Sequence, residues 1–143
     1  VSYRYLEDFA TADIAFEAEG ETLEDLFRAA ADATMNVMIE DVDSIRAHET
    51  RPIELQDPEI DILLFDFLQE LIYYKDAEQL LLRVDDIAIS EKGGVYGLRA
   101  GCRGERLDPE RHEQRADVKA VTLHCFKVER TRRGWEALAI LDV

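Results

Sequence analysis

The chain has 143 residues, of which 47% are hydrophobic and 34% charged, with 7 Gly, 3 Pro and a formal net charge of -15. That composition excludes a disordered or fibrous protein, and the length fits a single domain spanning residues 1–143. No uncharged apolar run approaches the roughly 20 residues that cross a bilayer, and the start VSYRYLEDF lacks the basic and apolar regions of a signal peptide, so a cytoplasmic protein with no membrane contact is expected.

The charge is unevenly spread: residues 1–78 hold 5 basic and 21 acidic side chains, and residues 79–143 hold 12 and 11. An acidic first half repels polyphosphate, which argues against tight direct binding of nucleic acid and favours a basic protein partner. Cys102 and Cys125 are too few and too far apart for a metal or redox motif, and are expected to be reduced, semi-buried strand residues.

In chain order, YRYLEDFATADIAFEAEG alternates apolar and polar residues on both sides of a break at Asp8 to Ala12, which predicts two short strands. ETLEDLFRAAADATMNVMI places Leu23, Leu26, Phe27, Ala30, Ala31, Thr34, Val37 and Met38 at helical spacing, with Thr22 and Asp25 as a capping pattern. SIRAHETRPIEL reads as one strand or two, with Pro52 marking an edge or bulge. DPEIDILLFDFLQELIYYKD predicts a second amphipathic helix, with Asp57 as its N-cap and Pro58 in its first turn. Two strands then meet at Gly93-Gly94, a dipeptide that accepts the positive φ of a tight hairpin. LDPERHEQRAD is a polar connection, and VKAVTLHCFKVERTRRGWEALAILDV forms a last hairpin turning near Arg132 to Gly134. Two helices among six to eight largely antiparallel strands make an α+β domain.

No nucleophile elbow, phosphate-binding loop, dinucleotide fingerprint or zinc spacing occurs, so the sequence offers no self-contained enzyme. His48, His112 and His124 are scattered, and His124 in VTLHCF reads as a satisfied sheet histidine. Arg99, Arg103, Arg106, Arg111 and Arg115 are interleaved with acids, which predicts a salt-bridged loop rather than an RNA-binding face. Asp13 in TADIAF and Asp142 in AILDV have aliphatic neighbours. Each either points to solvent by alternation or joins a hard-cation site with the Val143 carboxylate and backbone carbonyls, a donor set that suits calcium or magnesium. Lys119 in DVKAVTLH is either a solvated strand-edge lysine or a partner of those acids or of a phosphate.

Taken together, YRYLE, TADIAF, TLEDLFRAAADATMNVM, GERLDPERHE, VKAVTLH and GWEALAILDV resemble the archease family over essentially the whole chain. One departure stands out: the family pattern places a histidine just before Thr-Ala-Asp, where this chain reads EDFATADI. The resemblance implies a small, non-catalytic partner of an RtcB-type tRNA-splicing RNA ligase, promoting ligase guanylylation and multiple turnover in tRNA splicing or RNA repair. It also implies a divalent metal site, calcium in type, at Asp13, Asp142 and Val143, with Lys119 as the functional lysine. GTP and manganese would belong to the ligase. The competing expectation is a chaperone-like modulator of an RNA-modifying enzyme such as a methyltransferase.

Overall fold

The computed structural model describes residues 2–6 and 13–143. Seven strands run through these residues: β1 (Ser2–Leu6), β2 (Asp13–Gly20), β3 (Glu49–Asp57), β4 (Leu80–Lys92), β5 (Val95–Arg106), β6 (Ala120–Thr131) and β7 (Gly134–Asp142). Two helices, α1 (Leu23–Met38) and α2 (Ile60–Glu78), and a short 3-10 turn at Val42–Ser44 complete the order. The strands form two antiparallel sheets, β1-β2-β7-β6 and β3-β5-β4. The α+β reading therefore holds. The predicted break at Asp8 to Ala12 lies outside the described residues.

The start of α1 follows its sequence. Thr22 sits in extended backbone and its hydroxyl accepts from Asp25 N at 3.1 Å, satisfying one of the free N–H groups of the first turn. Glu24 and Asp25 add negative charge at the positive end of the helix dipole. Ala29, Ala30, Ala31 and Ala33 are all fully buried, so α1 packs closely on the strands around it.

α2 starts later than the sequence suggested. Asp57 is the last residue of β3, and its Oδ1 accepts from Glu59 N at 2.9 Å, which turns the chain before the helix rather than capping it. The helix then begins at Ile60, with Glu59 as an N-cap that makes no side-chain cap bond. Pro58 and Glu59 form a bend, and the first helical bond runs from Leu63 N to Glu59 O at 3.0 Å. None of residues 60–72 is exposed, since α2 touches both sheets and α1.

One hydrophobic core joins these layers. Phe16 and Ala139 of the first sheet, Leu98 and Cys102 of the second, and Phe27, Leu63, Phe67 and Leu71 of the helices belong to the same buried cluster. Each fully buried Leu or Phe stabilises the fold by roughly 1.5–3 kcal/mol relative to its exposed state. Burial pushes the Cys102 thiol up to about 12, so it remains protonated, whereas Cys125 is exposed rather than semi-buried.

The turns are as the sequence predicts. Gly93 and Gly94 take φ of 60° and 79° between β4 and β5, and Gly134 closes the last hairpin at φ 135°. Pro52 lies in β3, an edge strand, where the missing N–H is tolerated. Residues 45–48 of the predicted strand region are irregular instead. No helix among the described residues is long and apolar enough to cross a membrane.

The first sheet positions the residues singled out by the sequence. Its central strands are β2 and β7, from opposite ends of the described chain, paired from Asp13↔Asp142 to Gly20↔Trp135.

Candidate functional site

Asp13 opens β2 and Asp142 closes β7, and the register sets them directly opposite each other. Directly opposed residues project to one face of a sheet with Cβ atoms about 5 Å apart. Two carboxylates there repel by roughly 1 kcal/mol even at the dielectric of bulk water. Asp142 is exposed and Asp13 half-buried, so water screens the pair on one side only.

Lys119 reaches the same end from the other flank. Its backbone N–H donates to Asp142 O at 2.8 Å, and the next residue, Ala120, pairs with Asp142 across β6 and β7. Asp142 thus stands between Asp13 on one neighbouring strand and the Lys119–Ala120 step on the other. Val143 follows directly, half-buried and packed on the core. The sequence offered Asp13, Asp142 and Val143 as one possible cluster with Lys119 as a possible partner, and the fold brings all four to one end of one sheet.

The donors of this end are carboxylate and main-chain oxygens, hard ligands of the kind calcium and magnesium take. Among the described residues, no three His, Cys, Asp or Glu side chains converge in a way that could hold a metal ion. A cation here would have Asp13 and Asp142 as its two side-chain ligands and fill its shell with main-chain oxygen and water. The donor set fits a hard divalent ion and excludes a thiolate or imidazole zinc centre.

The segment leading into Lys119 is held by a cluster that the sequence did not reveal. Glu105 and His112 are buried at 7% and 2% exposure. The Glu105 carboxylate accepts from Arg46 N at 2.7 Å, pairs with Arg111, and meets His112 Nε2 at 3.1 Å. His112 Nδ1 accepts from Asp108 N at 2.9 Å, so Nε2 carries the proton that goes to Glu105. Burial alone would push the Glu105 carboxyl up, but the hydrogen bonds from Arg111, Arg46 and His112 outweigh it and bring it down to about 2. The polar connection LDPERHE is therefore clamped to β5 through Arg111 and His112, which meet the fully partnered Glu105 carboxylate.

A second anchor lies nearer the lysine. Lys75 Nζ on α2 bonds Asp117 Oδ1 at 2.6 Å and Val118 O at 2.8 Å. Burial opposes its charge, yet Asp117 and Asp76 hold its pKa above the ordinary lysine value. With Val118 fully buried, Lys119 leaves a fixed backbone while its own side chain stays exposed.

The arginines of the second half are paired as expected, although mostly with distant acids. Arg99 meets Glu54, Arg103 meets Asp85, Arg106 meets Glu49 and Glu78, and Arg115 meets Glu40; of the interleaved acids only Glu105 takes part, with Arg111. Sequence proximity cannot identify partners that antiparallel pairing brings from elsewhere.

His124 is not the satisfied sheet histidine that alternation suggested. It is exposed, in a bulge of β6 where Thr122 pairs with Ile140 and Lys127 with Leu138, leaving Leu123 to Phe126 opposite Ala139 alone. A signal was present. Val121, Leu123 and Cys125 place apolar residues on odd positions, while Phe126 and Val128 place them on even ones, and such a phase slip within a strand requires a bulge.

A two-sheet α+β scaffold that ends a central strand pair on opposed aspartates, beside an anchored lysine, is thus a surface built to meet a cation or another molecule. The profile of the Archease protein family (MTH1598/TM1083) matches residues 3–143, and the chain belongs to that family. It is 39% identical over 134 residues to a protein archease of Pyrococcus furiosus, covering 93% of this chain and 94% of that one. It is 37% identical over 144 residues to a protein archease of Methanosarcina mazei, covering 99% and 95%. The solution structure of Methanobacterium thermoautotrophicum protein 1598 superposes with a TM-score of 0.81 at 31% identity, covering 99% of this chain and 98% of that one. The fold is also that of a Thermotoga maritima protein described as an archease and possible chaperone, with a TM-score of 0.57 at 24% identity over 94% of this chain and 93% of that one.

Proposed function

We propose that this protein is a non-catalytic cofactor of an RtcB-type RNA ligase, promoting guanylylation of the ligase and its repeated turnover in tRNA splicing or RNA repair. The observation that carries the reading is the convergence of Asp13, Asp142 and Lys119 at one end of the first sheet, on a chain of the archease family. Opposed carboxylates can hold or orient a divalent metal, and a fixed backbone with a mobile ammonium can steady a phosphate. In this reading Asp13, Asp142 and a main-chain oxygen of Val143 hold a calcium-type ion, which would neutralise the pair and stiffen the end of the sheet. Lys119 meets the phosphate that the ligase transfers from GTP, while manganese and the guanylated residue belong to the ligase.

The net charge of -15 suits a partner that is itself basic because it holds RNA. It also explains why the activator should not compete for that RNA.

The test is a reconstituted ligase with GTP and manganese, assayed for the ligase-GMP adduct and for turnovers per enzyme. The unaltered protein should raise both. Asp13→Ala, Asp142→Ala and Lys119→Ala should each lower activation at least tenfold while the proteins remain folded. Full activation by all three variants would overturn the reading. Copurification of a methyltransferase in place of a ligase would favour the chaperone-like alternative.

A further inference from the structure

We infer that the bulge from Leu123 to Phe126 is a contact finger for the same partner that meets the Asp13–Asp142 end, with Leu123 as its apolar anchor. The inference rests on the proposed ligase-activating role and names a second part of that interface.

The bulge is built rather than loose. At its base Phe126 turns inward and packs edge-to-face on Phe65 of α2, with ring centroids 5.6 Å apart. At its start His124 N donates to Thr122 Oγ1 at 3.0 Å, curling the chain back on itself. Between them Cys125 takes φ 57°, a left-handed conformation that residues with a Cβ seldom adopt. Bulges and such conformations collect where a strand must aim a side chain, next to sites of function. What this one presents is Leu123, 58% exposed and one of two large hydrophobic residues that stand out in solvent among the described residues. An ordered apolar side chain held away from its own core is a contact awaiting a pocket.

The position selects the occupant. Thr122 pairs with Ile140, two residues from the Ala120↔Asp142 pair, so the finger rises from the strand that Lys119 leads into, close to the acid end. A molecule docked on that end lies within reach of Leu123. A second copy of this chain is a poor occupant, because two surfaces of net charge -15 repel. A partner with a basic rim around an apolar pocket satisfies both the carboxylates and the leucine.

Strand addition to the β6 edge is a poor alternative. Val121 N already donates to Gln69 Oε1 of α2 at 3.0 Å, and the bulge interrupts the ladder beyond it. The edge from Val121 to Phe126, next to the acid end, is thereby unsuited to backbone pairing, and contact there falls to side chains.

The deciding experiment titrates the protein against ligase, GTP and manganese, and reads the concentration giving half-maximal ligase-GMP formation. Leu123→Asp should raise that concentration at least tenfold, with unfolding temperature and calcium binding by calorimetry unchanged, and Leu123→Met should restore it to within threefold. Tyr73→Asp is the control, since Tyr73 on α2 is equally exposed at 59%. An unchanged half-maximal concentration for Leu123→Asp, or an equal loss with Tyr73→Asp, overturns the finger and leaves the activator reading standing. So does a change in self-association as the sole effect of Leu123→Asp. No activation by the unaltered protein overturns both.

Discussion

Two carboxylate clusters in this molecule face opposite problems. Glu105 is nearly buried and accepts from Arg46 N, Arg111 and His112, so its charge is matched at every side. Asp13 and Asp142 stand opposed on adjacent strands at the surface, and among the described residues neither is in an ion pair with a cationic side chain. The first cluster is a fastener. The second sets two like charges side by side, an arrangement that costs stability. Removing a carboxylate should therefore have opposite signs at the two places.

The largest effect belongs to the fastener. Glu105→Ala leaves Arg111 and His112 without their acceptor and should lower stability by about 3 kcal/mol, read as a shift in the urea midpoint. A loss under about 1 kcal/mol would show that the clamp is dispensable. The same group makes an acid limb. Its folded pKa of about 2 lies below the ordinary carboxylate value of 4.5, so its contribution is complete above about pH 4.5 and fades as pH falls towards 2. Glu105→Gln should flatten stability over that window, which equilibrium unfolding at stepped pH will reveal.

Calcium should act on the other cluster alone. At a hundredfold excess over its dissociation constant it would stabilise the protein by about 2.7 kcal/mol, and Asp142→Asn should abolish that gain while Glu105→Gln retains it. Equal responses from both variants would remove the metal from the acid pair.

The sharpest test of the comparison is smaller. In chelator, Asp13→Asn or Asp142→Asn should stabilise the protein by a few tenths to about 1 kcal/mol, because each relieves a like-charge pair. Destabilisation by both would mean the carboxylates already have partners. Smallest of all is Lys119→Met, expected within about 0.5 kcal/mol of the parent because the side chain is exposed, although it should lower ligase activation.

The comparison also explains what the sequence could disclose. Asp13 and Asp142 are visible because a charged residue among aliphatic neighbours breaks the alternation of a strand. Their meeting is expected only on the condition that the last strand lies beside the strand of Asp13, and the pairing of β2 with β7 meets that condition. Glu105 drew little notice in a stretch rich in acids and arginines, and only burial separates it from Glu110 or Glu113. Thr22 and the Gly93-Gly94 turn were legible because capping and positive φ are decided within a few residues. Asp57 differs for a related reason: a local acceptor can serve a turn as readily as a helix start, and nothing within those few residues decides which. His124 needed the phase of the whole strand, and Phe65 on a helix far upstream, to show that it leaves the sheet.

The strand order β1-β2-β7-β6 carries a consequence for how the protein is made. β7 supplies two of the three ladders of the first sheet, those to β2 and β6, yet it leaves the ribosome after the other strands and both helices. Until it arrives, β2 and β6 lack their shared neighbour, and the opposed aspartates do not exist as a pair. Such long-range closure is slow compared with helix formation and cannot begin until Gly134–Asp142 has been made. A nascent chain halted before Gly134 would keep α1 and α2 but present two unpaired edges to the cell, making it a substrate for chaperones and proteases rather than a weakened activator. The acid end is thus assembled only on chains translated past Asp142, after the other six strands and both helices have been made.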